Sequence, residues 1–430
     1  MIRRLFYLVL IVTALAIAVV VGRRLIIGQT PVVRATTMMQ NRNPAGAQIV
    51  LRNLIKVEPR NVEAHVMLAQ TQLLMSDWVS AEKELKIARA LRYDRSILLP
   101  MLARSYLAQE RYADVLSEVP ATALRTEDRV TNLVLRSMAY AGLNDLGQAK
   151  ATIEAAGELA PDSPLVLMQT ARIALSRKNP LEAEHSAMKA LEIDPNNIDA
   201  LMLQSEVLTQ RWDSVGAIGA LNRAAALAPF SPMVRMARAN LLINAGMDKQ
   251  AQEDVDATLA MSSQDATALY YNAVLMFRAK RYADAGVEFE KLGSLMTVFP
   301  KSYLYRGQAA LALSQNEAAL DSFYRYVKLK PTDPEGVRLA AQLEFKANRP
   351  DKVIELVTRA VDAGLRDAAS FDMMGRAYFT TGRVPDAIDS FRRAIALAPD
   401  NKDFVVHLTA AQTKFGAAPV AAGLGGGAVE

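Results

Sequence analysis

Catalysis needs convergent reactive groups, and this sequence is sparing with them. Its 430 residues include three histidines, His65, His185 and His407, and no cysteine. A metal site needs several ligands in one place, and a serine or cysteine triad needs a base beside its nucleophile. Three widely separated histidines supply neither. Without cysteine, disulfides, thiolate metal sites and cysteine nucleophiles are excluded. There is no Walker loop, no GxGxxG after a strand, no HExxH and no GxSxG. The carboxylates are spread over helix surfaces, where ordinary solvation is the default. The expectation is no catalytic site, no cofactor and no metal, which leaves recognition as the chemistry to look for.

Composition points to helices. Hydrophobic residues make up 51% of the chain and aromatics 6%, and the excess is in Ala, Leu and Met, which suit close helix packing better than strands. The formal charge is +5, with Lys and Arg interspersed among Asp and Glu. A nucleic-acid reader would show a basic stripe or a known motif, and neither appears. No nucleic-acid partner is expected.

The elements that would position recognition residues repeat at a fixed interval. Pro161, Pro195 and Pro229 stand 34 residues apart, each after an Ala-rich apolar helix pattern. Steps of 34 from Pro59 reach Pro399 through Tyr93, Glu127, Pro161, Pro195, Pro229, Ser263, Thr297, Pro331 and Leu365. A frame of ten whole units without net insertion describes a quasi-one-dimensional array rather than separate globular domains. Turns inside the units are expected at Asn144-Asp145, Lys178-Asn179-Pro180, Gly246, Arg349-Pro350 and Gly382-Arg383. Pro120 falls where a second helix should continue, so that helix should be short or bent. After Pro399, Phe404, Val405, Leu408, Ala411, Gln412 and Phe415 keep helical spacing with no partner to follow, as a terminal cap would.

Before the array, Leu5 to Val21 form an uncharged apolar run flanked by Arg3, Arg4, Arg23 and Arg24. Continued to Ile27 with the arginines snorkelling, it is long enough to span a bilayer. A cleaved signal peptide is the competing reading, but Ala14-Leu15-Ala16 and Ala16-Ile17-Ala18 lie inside the run rather than after it. The positive-inside count does not orient it, because arginines flank both sides. The expected domains are a transmembrane anchor over residues 1–28, a linker over 29–43, the repeat array over 44–401, a capping helix over 402–415 and a flexible tail over 416–430.

From about Ala45 to Phe415 the chain resembles the tetratricopeptide repeat family. The last unit carries the pattern best, with Phe371, Met374, Gly375 and Tyr378, then Ala387, Phe391, Ala394 and Pro399. Leu68, Ala69, Ala81, Leu85 and Ala88 repeat the logic in the first unit, and Gly307, Ala319 and Phe323 in the eighth. The resemblance implies an all-α, right-handed superhelical solenoid of about ten helix-turn-helix repeats, behind the transmembrane helix and ending in the cap. It also implies that first helices line a concave groove for an extended peptide or a partner helix. In the frame, the groove residues are Arg104, Met168, Arg172, Met202, Met236, Asn240, Tyr270, Phe277, Tyr305, Gln308, Arg338, Gln342 and Arg376. Some family members clamp a partner's terminal carboxylate with Lys, Asn and Arg. Here only Asn240 matches such a position, so that clamp is not expected.

A narrower resemblance runs from Glu63 through Leu99 to Leu107 and on to Val115 and Leu116. It is to membrane-linked repeat proteins of bacterial exopolysaccharide and exosortase systems. It implies an inner-membrane, single-pass protein with periplasmic repeats, in contact with the bilayer through residues 5–27. The function so implied is a scaffold for envelope assembly, in polysaccharide synthesis or export. The alternative is a holding chaperone or biogenesis factor for pilus, secretion or cytochrome subunits.

Overall fold

The structure, a computed structural model, describes residues 30–41, 43–123 and 125–416. They form helices and one 3₁₀ turn, in two compact units that meet in sequence at Leu227 and Ala228. The first unit contains α1 (Pro31–Gln40), α2 (Pro44–Val57), α3 (Val62–Leu74), α4 (Trp78–Ala90), α5 (Arg95–Ala108), α6 (Tyr112–Glu118), α7 (Thr126–Gly142), α8 (Leu146–Leu159), α9 (Pro164–Ser176), α10 (Pro180–Ile193), α11 (Ile198–Gln210) and α12 (Ser214–Leu227). The second contains α13 (Pro232–Asn244), α14 (Asp248–Met261), α15 (Ala266–Arg278), α16 (Tyr282–Lys291), the 3₁₀ turn Gly293–Thr297, α17 (Lys301–Ala312), α18 (Asn316–Leu329), α19 (Pro334–Lys346), α20 (Pro350–Asp362), α21 (Ala368–Thr380), α22 (Val384–Leu397) and α23 (Lys402–Phe415). In both units a first helix, here an A helix, packs on the following B helix and on the next A helix. Most of the helices are 13 or 14 residues long, too short to persist alone, so their packing holds them in shape.

Local signals set the helix ends. Asn197, Ser231, Asp265, Asp333, Asp367 and Asn401 fall on one 34-residue frame, and each accepts a backbone N–H of the helix it opens. Such caps satisfy donors that have no partner inside the helix. From α3 onward, the turns between A and B helices each place one residue in the left-handed region, at Ser76, Glu110, Asn144, Lys178, Trp212, Gly246, Lys280, Ser314, Asn348 and Gly382. The expected turns lie at or beside these positions.

Inside the pairs, small residues admit aromatic rings. A Cβ built on Gly307 would lie 2.4 Å from the Phe323 ring, and one on Gly375 would lie 2.6 Å from the Phe391 ring. Both rings are buried, so neither can swing clear. Pro120 acts as expected: α6 has seven residues. The freed carbonyls of Leu116 and Val119 accept from Arg136 Nη1 at 2.7 and 2.8 Å.

Beside this short helix lies a buried carboxylate with a pH dependence. Glu82 accepts from Lys86 Nζ at 2.6 Å, Arg111 Nη1 at 2.7 Å and Gln109 Nε2 at 3.0 Å. Burial pushes its pKa up, but these three donors outweigh burial and hold it at about 2, against 4.5 for a free glutamate. A depressed carboxylate pKa stabilises the fold above the unfolded value, and that contribution disappears as pH falls from 4.5 towards 2. The loss amounts to about 3 kcal/mol. Thermal melts of Glu82→Gln should therefore be flatter than wild type across that window, with the first unit responsible for the difference.

Two expectations need correction. Among the described residues no helix is long and apolar enough to cross a membrane. The longest of those helices, α7, has 17 residues and includes Glu127, Asp128, Arg129 and Arg136, whereas a span takes about 20 mostly apolar residues. The apolar run at residues 5–27 lies outside the described residues. The transmembrane helix, the single-pass inner-membrane location and the bilayer contact are thus not features of this structure. The stretch 29–43, expected as a linker, contains α1, which is capped by Thr30, carries Pro31 in its first turn and buries Ala35 against α2 and α3. Residues 402–415 form the helix α23, packed on α22 and α21, with Phe404, Ala411 and Gln412 buried but Phe415 exposed. Residues 417–430 of the expected tail lie outside the described residues.

Candidate interaction faces

The expected groove residues all fall on A helices, but the structure divides them into three groups. The first is packed. Met168 and Met236 are buried, 8% and 6% exposed, and serve the core.

Tyr270, Phe277 and Tyr305 come together in an aromatic cluster behind and along the A-helix face. Tyr270 stacks on Phe299 at 5.0 Å between ring centroids, Phe277 meets Tyr305 at 5.2 Å, and Tyr305 stacks on the buried Phe289 at 6.3 Å. Burial, with a smaller push from Tyr305, raises the Tyr270 phenol far above its usual range. It remains a neutral hydroxyl.

The second group is occupied by acids at the next A helix or, for Asn240, by an amide of its own helix. Gln308 Nε2 donates to Glu335 Oε1 at 2.9 Å, and Arg338 lies 3.5 Å from Asp367. Asn240 accepts from Asn244 at 3.5 Å. Arg172 is exposed and Met202 half-buried, and neither lines a cavity described below.

The third group faces open cavities. In the second unit Gln342 and Arg376 line a cavity of about 500 Å³ with Leu311, Leu339, Leu343, Phe345, Lys346 and Met373. Lys346, Arg376 and Lys414 are exposed, and among the described residues none has a carboxylate within 4.0 Å. Arg376 lies over the Phe345 ring at 5.4 Å and Lys414 over the Phe379 ring at 4.5 Å, contacts in which the ring face attracts the cation without neutralising it. In the first unit Arg104 stands at a larger cavity, about 810 Å³, walled by Met39, Leu73, Leu74, Trp78, Met101, Leu107 and Met138.

Sequence reasoning missed Phe345, Phe379, Leu339 and Met373, yet the 34-residue ruler contains them. Steps from Phe277 give Leu311, Phe345 and Phe379, and steps from Tyr305 give Leu339 and Met373. Met39 falls in the stretch 29–43, where the sequence predicts a linker. Among the described residues no cluster of His, Asp and Glu could hold a metal ion.

Residues 134–198 of the first unit and 338–402 of the second match the family model for the tetratricopeptide repeat. Both units thus contain tetratricopeptide repeats. Such repeats stack into extended surfaces that bind protein partners, so a protein-interaction scaffold is the function class of this tetratricopeptide repeat array. A curated relative, the Protein CTR9 homolog of Arabidopsis thaliana, is 23% identical over 234 residues, covering 50% of this chain and 21% of that protein. The chain thus spans about a fifth of that relative's length. Similar solved structures include yeast Tom70, with a TM-score of 0.46 and 13% identity over 88% of this chain and 87% of that one. A chain of the APC/C hetero-tetramer Cut9-Hcn1 has a TM-score of 0.37 and 14% identity over 89% of each.

Proposed function

We propose that this scaffold binds an acidic amphipathic helix of a protein partner on the A-helix face of its second unit. The observation that carries the reading is the pair of cations Lys346 and Arg376, which have no acidic partner among the described residues, on the lining of the cavity walled by Leu311, Leu339, Phe345 and Met373. An amphipathic helix offers apolar anchors at i, i+3, i+4 and i+7 that fill such a groove. Acidic residues flanking those anchors would meet the cations, which gives specificity and a faster encounter.

A designed amphipathic helix with Glu on its polar edges, labelled for fluorescence anisotropy, tests the proposal against the same helix carrying Lys. The Glu peptide should bind, more weakly as salt rises, and Lys346→Glu with Arg376→Glu should reduce affinity at least tenfold, about 1.4 kcal/mol. Equal binding of the two peptides, or indifference to the double reversal, would refute it.

A second reading has its own observation. The cavity of the first unit is walled by Met39, Met101 and Met138, and flexible methionines are characteristic of surfaces that accept many sequences. That favours a holding chaperone. A photo-crosslinker at position 101 should then capture many unfolded chains, whereas a scaffold would yield one or two folded partners. For the process served, bacterial polysaccharide synthesis or export is supported only by the likeness of Glu63 to Leu116 noted above. A neighbouring cluster of glycosyltransferase genes would fit it, and a pilus or cytochrome cluster would not.

A further inference from the structure

The second unit holds another cavity, away from the A-helix face and walled largely by B helices. It is enclosed by α18, the start of the following loop, α19 and α20, and measures about 650 Å³. Leu320, Val327, Leu356 and Ala360 form buried apolar walls, with Pro331 beside them. Small-molecule sites have this size and make-up, apolar walls with a few convergent polar groups.

One of those groups is Glu344, 2% exposed. Tyr324 donates its hydroxyl to Glu344 Oε1 at 2.6 Å. Burial, then this bond, raises the Tyr324 phenol far above its usual range, so it stays a donor. Arg349 Nε lies 2.7 Å from Glu344 Oε2, within ion-pair reach. It is out of line for a hydrogen bond, and Oε2 remains buried without one. A buried acceptor left unmatched is costly, and a donor from a bound molecule would relieve it.

The remaining polar groups are cationic. Lys352 and Arg359 share a single acid, Glu355, at 2.9 and 2.6 Å. Lys328 is exposed and has no carboxylate within 4.0 Å among the described residues. With Arg349 the lining carries four cations, against the two carboxylates Glu344 and Glu355.

We infer that this cavity binds a small amphiphilic anion. Its apolar body would lie on Leu320, Val327 and Leu356. Its carboxylate or phosphate head would sit among Lys328, Lys352 and Arg359, and an N–H or O–H on the body would supply Glu344 Oε2. The excess of cations selects against an amphiphile with a positive head, and the apolar walls select against inorganic anions alone. The site is independent of the helix-binding face and stands or falls separately from it.

Calorimetric titration of the full chain with laurate and with dodecyl phosphate, below their micelle concentrations, tests this. Dodecyltrimethylammonium is the control of opposite charge. Both anions should saturate one site per chain, and the tighter of the two identifies the head group. Lys328→Glu with Arg359→Glu should weaken binding at least tenfold, while Lys402→Glu, on another face, should leave it unchanged. These residues are exposed, so folding should be preserved, with circular dichroism as the check. The inference is overturned if neither anion saturates, if the ammonium amphiphile binds equally well, or if binding survives the double reversal, as it would at the Arg104 cavity.

Discussion

Replacing Asp254 with alanine should lower the stability of the second unit by about 3–5 kcal/mol, the usual cost of removing one side of a buried ion pair. Asp254 is 0% exposed on α14 and faces two arginines of α13. Arg238 grips it in two places, with Nε 2.7 Å from Oδ2 and Nη2 2.7 Å from Oδ1. Arg235 adds Nη1 at 3.0 Å from Oδ1, and its Nε and Nη2 donate to the Pro229 carbonyl. The carboxylate also raises the Arg238 guanidinium further above its usual range. Without it, two largely buried guanidinium groups, 21% and 23% exposed, lose the carboxylate they share where water reaches them poorly. The cost is therefore desolvated charge rather than lost packing. That distinction is testable, because replacing all three residues with apolar ones of similar volume should recover most of the loss. Denaturant melts measure the total, and hydrogen exchange over residues 232–261 should locate it. A loss below 1 kcal/mol would mean that solvent already compensates these arginines.

This triad also marks the limit of what the sequence discloses. Helix caps, left-handed turns and the Gly-to-ring contacts are local, so they recur on the 34-residue frame and can be read from one chain. Pro120 is legible for the same reason: it removes a backbone donor wherever it stands. Pairings between helices are different. Gln308 meets Glu335, and Arg338 meets Asp367, because A helices one repeat apart lie side by side. Nothing in the residue types says which arginine will be neutralised in this way and which, like Arg376, will not. The helix α1 did carry a signal, Thr30 followed by Pro31, a cap and a favoured first helical residue. Its ten residues, with Arg34, Thr36 and Thr37 among them, gave too weak an apolar stripe for that signal to prevail.

Phe289→Ala should also cost about 3–5 kcal/mol, the range for deleting a buried aromatic ring, and its consequences reach the partner face. Phe289 is 0% exposed on the B helix α16, with ring centroids 6.4 Å from Tyr270 and 6.3 Å from Tyr305. Those two tyrosines are half-buried, rooted in the core with their edges towards solvent. The 3₁₀ turn Gly293–Thr297 replaces the end of that B helix and brings Phe299 onto Tyr270. Removing the Phe289 ring leaves a void that Tyr270 and Tyr305 can partly enter, and water can follow. Phe289→Leu keeps part of the volume and should cost less. A second readout separates this from general loosening. Burial is what holds the Tyr270 phenol high, and burial disfavours the phenolate, so admitting water should bring its ionisation to lower pH. Tyrosinate absorbance in Phe289→Ala should therefore appear earlier in an alkaline titration than in wild type. If stability falls with no change in that titration, Tyr270 is held by Phe299 alone. If both change, the tyrosines of the A-helix face are positioned from behind by a B-helix residue that no partner touches, and binding there should fall without loss of any direct contact.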